Sequence, residues 1–197
     1  MHSNSKTKVA LAAVLALSLL ATGCSAQWIS VALADLPVLT QMALNIATLV
    51  ATLQSGKQLS PAEAAAIQNI STEASKDLNL LQMLYNEYQA NPSGGTIQKM
   101  ENVISDINQN LPALLQAAHI SDPTLAARVA AGVNLILTTV TSFAQLIPQP
   151  SSPALQAMKS QSKLSLRSPK DLKKQWNKQV CGTAPCAMKL SLKERLF

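Results

Sequence analysis

Apolar residues recur at steps of three and four through the middle of the chain, which is the spacing of one face of an α-helix. Four stretches show this period: 30–54, 60–90, 97–118 and 122–147. The alternating pattern of a half-buried strand is missing from them, and aromatic residues make up only 3% of the chain. The pattern therefore predicts an all-α fold with four long helices.

Capping residues mark where some of these helices begin. Ser60 stands three residues before Glu63, and the two form the capping box in which a hydroxyl and a carboxylate satisfy free amide donors. Asp122 followed by Pro123 is a second start signal, since aspartate caps a helix and proline favours its first position. Pro112 lies inside the third stretch, where we expect a kink because proline removes one backbone donor.

The links between the four stretches are short, at 55–60, 91–96 and 119–122. Short links favour antiparallel neighbours, and apolar stripes of this kind bury best when helices pack at shallow angles around one core. The sequence therefore predicts an up-down-up-down four-helix bundle over residues 24–150. The Ala-rich helix surfaces leave association between copies open.

Membrane insertion of the first or fourth helix is the competing interpretation. Residues 129–147 include no charged side chain, which is compatible with a membrane span. Asn134 and Gln145 in the fourth helix, and Asp35 in the first, argue against it because polar groups are costly in hydrocarbon. We therefore expect both helices to belong to the bundle core.

Charge divides the chain into unlike parts. Of its 197 residues and net charge of +6, residues 25–150 carry four basic and eight acidic side chains, a net of −4. Residues 151–197 carry ten basic and two acidic side chains, a net of +8. The sequence thus predicts an acidic bundle followed by a basic, partly flexible C-terminal arm, since the start of the arm is rich in proline and serine.

The N-terminus has the layout of an export signal. Lys6 and Lys8 precede about thirteen apolar residues, and Ala21, Thr22 and Gly23 lead into Cys24. This stretch resembles the signal of bacterial lipoproteins, although Ala21 stands where leucine is commonest. The resemblance implies a signal peptide at 1–23, a lipid-modified Cys24, and a location in the cell envelope on the periplasmic side of a membrane. Ser25, the next residue, is compatible with outer-membrane sorting in bacteria that have two membranes.

An ordinary secretory signal is the alternative, with cleavage after Gly23 or Ala26. The number of cysteines favours the lipoprotein interpretation. The chain has three, so one cysteine of an exported protein would be left outside any disulfide within the chain. If Cys24 carries lipid, Cys181 and Cys186 remain as a predicted disulfide pair in a loop with Gly182 and Pro185. Zinc binding by the pair is disfavoured, because no histidine or second cysteine pair accompanies it.

A short amphipathic helix is predicted in the arm from Ser168. Leu172, Trp176 and Val180 share one face of it, and lysines occupy the rest. Five residues are predicted to contact a membrane or partner: Lys170, Lys173, Lys174, Trp176 and Lys178. The expected partner is anionic lipid or an acidic envelope component. A solvated tail is the alternative, and nucleic acid is disfavoured because Trp176 is the only aromatic among the lysines. Beyond the loop, Met188, Leu190 and Leu192 alternate as in a strand.

Catalytic and cofactor chemistry is not indicated. His119 lies three residues before Asp122, but a histidine at a helix C-terminus usually favours the helix dipole. The sequence shows no phosphate-binding loop, nucleophile elbow or metal-ligand motif, and the bundle carboxylates are interpreted as solubilising charges. We therefore predict a lipid-anchored envelope protein that acts as a structural or interaction module, without catalysis or cofactor. The alternative is a carrier of a small apolar ligand in the bundle core, opening at Pro112, with Tyr85 and Tyr88 lining a pocket.

Overall fold

The computed structural model describes residues 28–49, 59–147 and 168–181. These three segments are all-α and include no strand. Their helices are α1 Trp28–Leu49, α2 Pro61–Ala90, α3 Gly94–Ala117, α4 Pro123–Ala144 and α5 Pro169–Trp176. A π-helical turn, Asn177–Cys181, continues directly from α5.

The predicted capping residues begin their helices as expected. The Ser60 hydroxyl accepts from the backbone N–H of Glu63 at 3.2 Å, and the Glu63 carboxylate accepts from the Ser60 N–H at 2.9 Å. Asp122 accepts from the N–H of Leu125 at 2.8 Å at the start of α4. A capping box between Ser168 and Asp171 starts α5. Local hydrogen bonding therefore sets these three helix starts.

Some helix bounds differ from the predicted ones. The described part of α1 includes Trp28 and Ile29, which precede the predicted stretch, and α3 begins at Gly94 because Ser93 caps it through Thr96. α3 includes Pro112 in its interior, while the kink expected there stays a prediction. α4 ends at Ala144, although Ile147 beyond it is still buried.

The predicted apolar stripes form one continuous core. In α1, α2 and α4 nearly every described stripe residue is fully buried, and in α3 the stripe is buried in its centre and partly exposed at its two ends. The largest fully buried side chains include Trp176, Tyr85 and Phe143. Burial of this kind supplies most of the stability of a helical domain.

Side-chain contacts show which helices meet. Near the start of α1, Trp28 packs on Tyr85 near the end of α2, and farther along α1 the Ala43 carbonyl accepts from the buried Ser71 hydroxyl at 2.8 Å. α2 packs against α3, α3 against α4, and α4 against α5 and the π-helical turn. The described part of the chain is thus a helical bundle with α5 packed onto it.

α1 and α4 are each long and apolar enough to cross a membrane by length and composition. About half of the apolar window in α1, and somewhat less in α4, is buried inside the fold. Core helices of a bundle satisfy the same criterion, and this burial agrees with the interpretation of both helices as core elements.

Several sequence predictions lie outside the described residues. These are the signal peptide at 1–23, the lipidated Cys24, the linker at 151–167, Cys186 and the chain beyond it. They remain predictions. Of the predicted C-terminal arm, the structure describes 168–181, which packs against α4.

Candidate functional sites: a lysine-bearing helix and a group of buried polar atoms

The apolar face of α5 is inserted into the bundle. Trp176 is fully buried, and its ring lies against Gly132 of α4 and close to Ile46 of α1. Leu172 and Val180 are also fully buried, as the shared face predicted. α5 is therefore held by side-chain packing, with Trp176 as its largest contact.

The opposite face of α5 and of the π-helical turn that follows it carries the lysines. Lys170, Lys174 and Lys178 follow one another at steps of four and are exposed, and Lys173 is half-buried. None of the four forms an ion pair with another described residue. The pKa of Asp171 is lowered mainly by its hydrogen bonds with Ser168. The nearby charges of Lys174 and Lys170 lower it further. We call the three exposed lysines, Lys170, Lys174 and Lys178, the basic strip of α5.

One predicted contact residue differs from expectation. The sequence placed Trp176 with the lysines as a membrane or partner contact, but its side chain is 0% exposed and lies inside the fold. The indole is bulky and apolar, so burial against a glycine stabilises it more than exposure would. Trp176 therefore belongs to the buried face of α5, and the lysines lie on the face opposite to it.

Three polar side-chain atoms of α4 and α5 are buried without hydrogen-bond partners among the described residues. They are Trp176 Nε1, Gln175 Oε1 and Arg128 Nη1. Arg128 stands one helical turn before Gly132, on which the indole rests. Because unsatisfied buried polar groups are destabilising, the docking of α5 rests mainly on apolar packing.

A second candidate site lies near the ends of α2 and α4, beside Trp28, the first described residue of α1. Trp28 packs edge-on against Tyr85 with ring centroids 5.5 Å apart, and against Tyr88 at 5.8 Å. Tyr85 also meets Phe143 at 6.2 Å. We call these four residues the aromatic cluster. The sequence pointed to Tyr85 and Tyr88, but it missed Trp28 because this residue precedes the recognised period.

Three polar groups at and near the aromatic cluster are buried without hydrogen-bond partners among the described residues. They are Trp28 Nε1, the Tyr85 hydroxyl and both carboxyl oxygens of Asp35. Burial alone raises the pKa of Asp35 from 3.8 to about 7 and also raises the pKa of Tyr85. The sequence analysis uses Asp35 as an argument against membrane insertion of α1, and the structure places its side chain in the core, 1% exposed.

Glu63 has a structural role that the sequence did not reveal. Besides capping α2, it accepts from the N–H of Ser121 in the α3–α4 link at 2.6 Å. Hydrogen bonds from Ser121, followed by those from Ser60, lower the pKa of Glu63 to about 2. Glu63 therefore ties the start of α2 to the link before α4.

His119, the one histidine of the bundle, lies just past the end of α3 with φ of 42°. That left-handed conformation is typical of a residue ending a helix, and the side chain is exposed. Asp122 nearby caps α4. This arrangement agrees with the interpretation of His119 as a helix-end residue.

The predicted cysteine sites are only partly described. Cys181 closes the π-helical turn and is fully buried, whereas Cys24 and Cys186 lie outside the described residues. The pairing of Cys181 with Cys186 and the lipidation of Cys24 stay predictions. Within the described segments, no group of three or more histidine, cysteine or acidic side chains is placed to hold a metal ion.

Comparison with protein-family models, with curated proteins and with solved structures finds no match to this chain.

Proposed function

We propose that this chain is exported, anchored by lipid at Cys24 in a bacterial cell envelope, and acts as an interaction module through the basic strip of α5. The N-terminal resemblance to lipoprotein signals supports the anchor. The docked helix supports the interaction, because it presents Lys170, Lys174 and Lys178 on a fixed surface. Catalysis and a cofactor have no part in this proposal.

The proposed architecture is an up-down-up-down bundle of α1 to α4 with α5 packed on it. Two contacts support antiparallel α1 and α2: Trp28 early in α1 meets Tyr85 late in α2, and Ala43 late in α1 meets Ser71 in the first half of α2. The brief α2–α3 and α3–α4 links support antiparallel neighbours in the same way.

The observation that best supports this proposal is that α5 buries its apolar face, while its lysines form no ion pair with another described residue. Each lysine held near an anionic lipid surface is worth about 1 kcal/mol, so the strip supplies about 3 kcal/mol. This is weak for a free protein. A lipid anchor raises the local concentration of the strip at the membrane, so the strip would fix the orientation of the bundle.

Vesicle flotation tests this proposal. A chain starting at Ser25, which lacks the anchor, should float with vesicles containing phosphatidylglycerol more than with pure phosphatidylcholine. Lys174→Gln with Lys178→Gln should reduce that difference, and added salt should weaken it. Lys76→Gln with Lys99→Gln is the matched control, since it removes the same charge from α2 and α3. Equal loss in both double variants would show that only net charge matters and would contradict a role for α5.

A second function, carriage of a small apolar ligand, is favoured by a separate observation. Trp28, Tyr85 and Asp35 hold buried polar atoms without partners in the described structure, and native proteins rarely leave such groups unpaired. Native mass spectrometry of the chain from its host tests this function. A copurified molecule of defined mass would support it, and a mass equal to the polypeptide with its modifications would oppose it.

A further inference from the structure

The inner face of α1 brings Asp35 into line with the aromatic cluster. Trp28 and Asp35 are seven residues apart, which places them on one face of the helix about 10 Å apart along its axis. Ala32, a small and fully buried residue, lies between them on that face. Tyr85 reaches the same end from α2. One strip of the core thus holds an acid, an indole N–H and a phenol hydroxyl.

The described charges leave Asp35 uncompensated. No charged residue among those the structure describes contributes to the pKa of Asp35, which burial raises. On α2, the pKa of Asp77 responds to Lys76, Glu73 and Asp106 after its own burial, and not to Asp35. On α4, no ionisable residue lies between Arg128 and the end of the helix at Ala144. A cation at Asp35 would have to come from outside the described residues.

Burying an unpaired acid is destabilising, and such groups are characteristic of binding and catalytic sites. Ala32 and Leu39 are buried on the same face of α1 as Asp35, and Trp28 lies two turns away. This apolar and aromatic strip suits the body of an apolar molecule and, at a ring face, a cation. A primary ammonium group is the simplest partner, since it is positively charged and donates hydrogen bonds to a carboxylate.

We propose that the core between α1, α2 and α4 binds a small apolar amine, with its ammonium group paired to Asp35 and its apolar body toward the aromatic cluster. This inference rests on the proposed carrier function and names its ligand class. Trp28 Nε1 and the Tyr85 hydroxyl would bind an acceptor at the far end of a ligand that has one.

Isothermal titration calorimetry with three probes of equal chain length tests the inference. The probes are octylamine, 1-octanol and sodium octanoate, added to the purified chain at pH 8.5, where Asp35 and the amine are both charged. We expect octylammonium to bind at least about tenfold more tightly than octanol, as a charge-assisted hydrogen bond allows, and octanoate to bind weakest. At pH 5.5 the preference for the amine should shrink, because Asp35 becomes protonated.

Two variants distinguish binding at Asp35 from non-specific attraction of the amine to acidic residues. Asp35→Asn should bind octylammonium and octanol equally, and it should fold because it removes a buried charge. Asp77→Asn, which removes a half-buried acid from α2, should keep the preference. Equal loss in both variants would overturn the inference, since the attraction would then be non-specific. Equal binding of amine and alcohol by the unmodified chain would overturn the amine inference while leaving a carrier; no binding of any probe would oppose the carrier function as well.

Discussion

Trp176 fits against α4 because residue 132 has no side chain. A Cβ at Gly132 would stand 3.1 Å from Cζ3 of the indole, closer than ordinary van der Waals contact. Glycine in the middle of a helix costs about 1 kcal/mol relative to alanine. The packing of the fully buried indole offsets that cost, so Gly132 is what allows α5 to dock.

Enlarging residue 132 should weaken the fold at α5. Gly132→Val adds carbons where the indole and Ile46 already lie, so we expect a loss of about 1–3 kcal/mol in the free energy of unfolding. Urea denaturation followed by circular dichroism measures it. Gly94→Val is the control, because a Cβ there meets nothing within 4 Å. Equal effects of the two substitutions would refute the packing role of Gly132.

Asp35 should make the stability of the protein fall as pH rises. Its pKa is about 7 in the folded state against 3.8 ordinarily, so the folded state holds the proton more tightly. The contribution of protonated Asp35 to the free energy of unfolding is therefore fully present below about pH 4 and is lost as pH rises through about 7. At about 1.4 kcal/mol per pKa unit, the loss approaches about 4 kcal/mol by pH 8.

Asp35→Asn should remove most of this pH dependence. The variant should be more stable than the unmodified chain at pH 8 and should lose that advantage toward pH 4. Denaturation at the two pH values checks the prediction. An advantage that is the same at both would mean that Asp35 does not titrate as a buried acid.

Glu63 should protect the α3–α4 link. Removing its carboxylate with Glu63→Ala takes the acceptor from the Ser121 N–H, so hydrogen exchange at that amide should become faster. Glu73→Ala is a suitable control, because Glu73 pairs with Lys76 on the surface of α2. In the unmodified chain, the lowered pKa means that the contribution of Glu63 is present above about pH 4.5 and is lost as pH falls through about 2. Unchanged exchange at Ser121 would show that the link is held by other contacts.

The sequence predicted the elements that depend on local chemistry. The capping residues Ser60, Asp122 and Ser168 start their helices, and the period of three and four located the core. Helix starts and apolar faces depend on residues a few positions apart, so the sequence pattern is enough to predict them.

Contacts between distant residues were not predictable in the same way. Trp176 looked like an exposed anchor among lysines, because the sequence does not show that Gly132, 44 residues earlier, makes room for it. The burial of Asp35 in the core was likewise not visible in the sequence. Asp35 and Trp28 lie on the same face of α1. Only the structure shows that α1 packs against α2 and α4.

Lipid anchoring at Cys24 is tested by the mass of the mature N-terminus, measured on protein made in an exporting bacterial host. We expect an N-terminal peptide that begins at Cys24 and carries a diacylglyceryl group, and we expect Cys24→Ser to abolish the modification. An unmodified N-terminus at Cys24 or Gln27, or a retained signal peptide, would contradict the proposal of a lipid-anchored envelope protein.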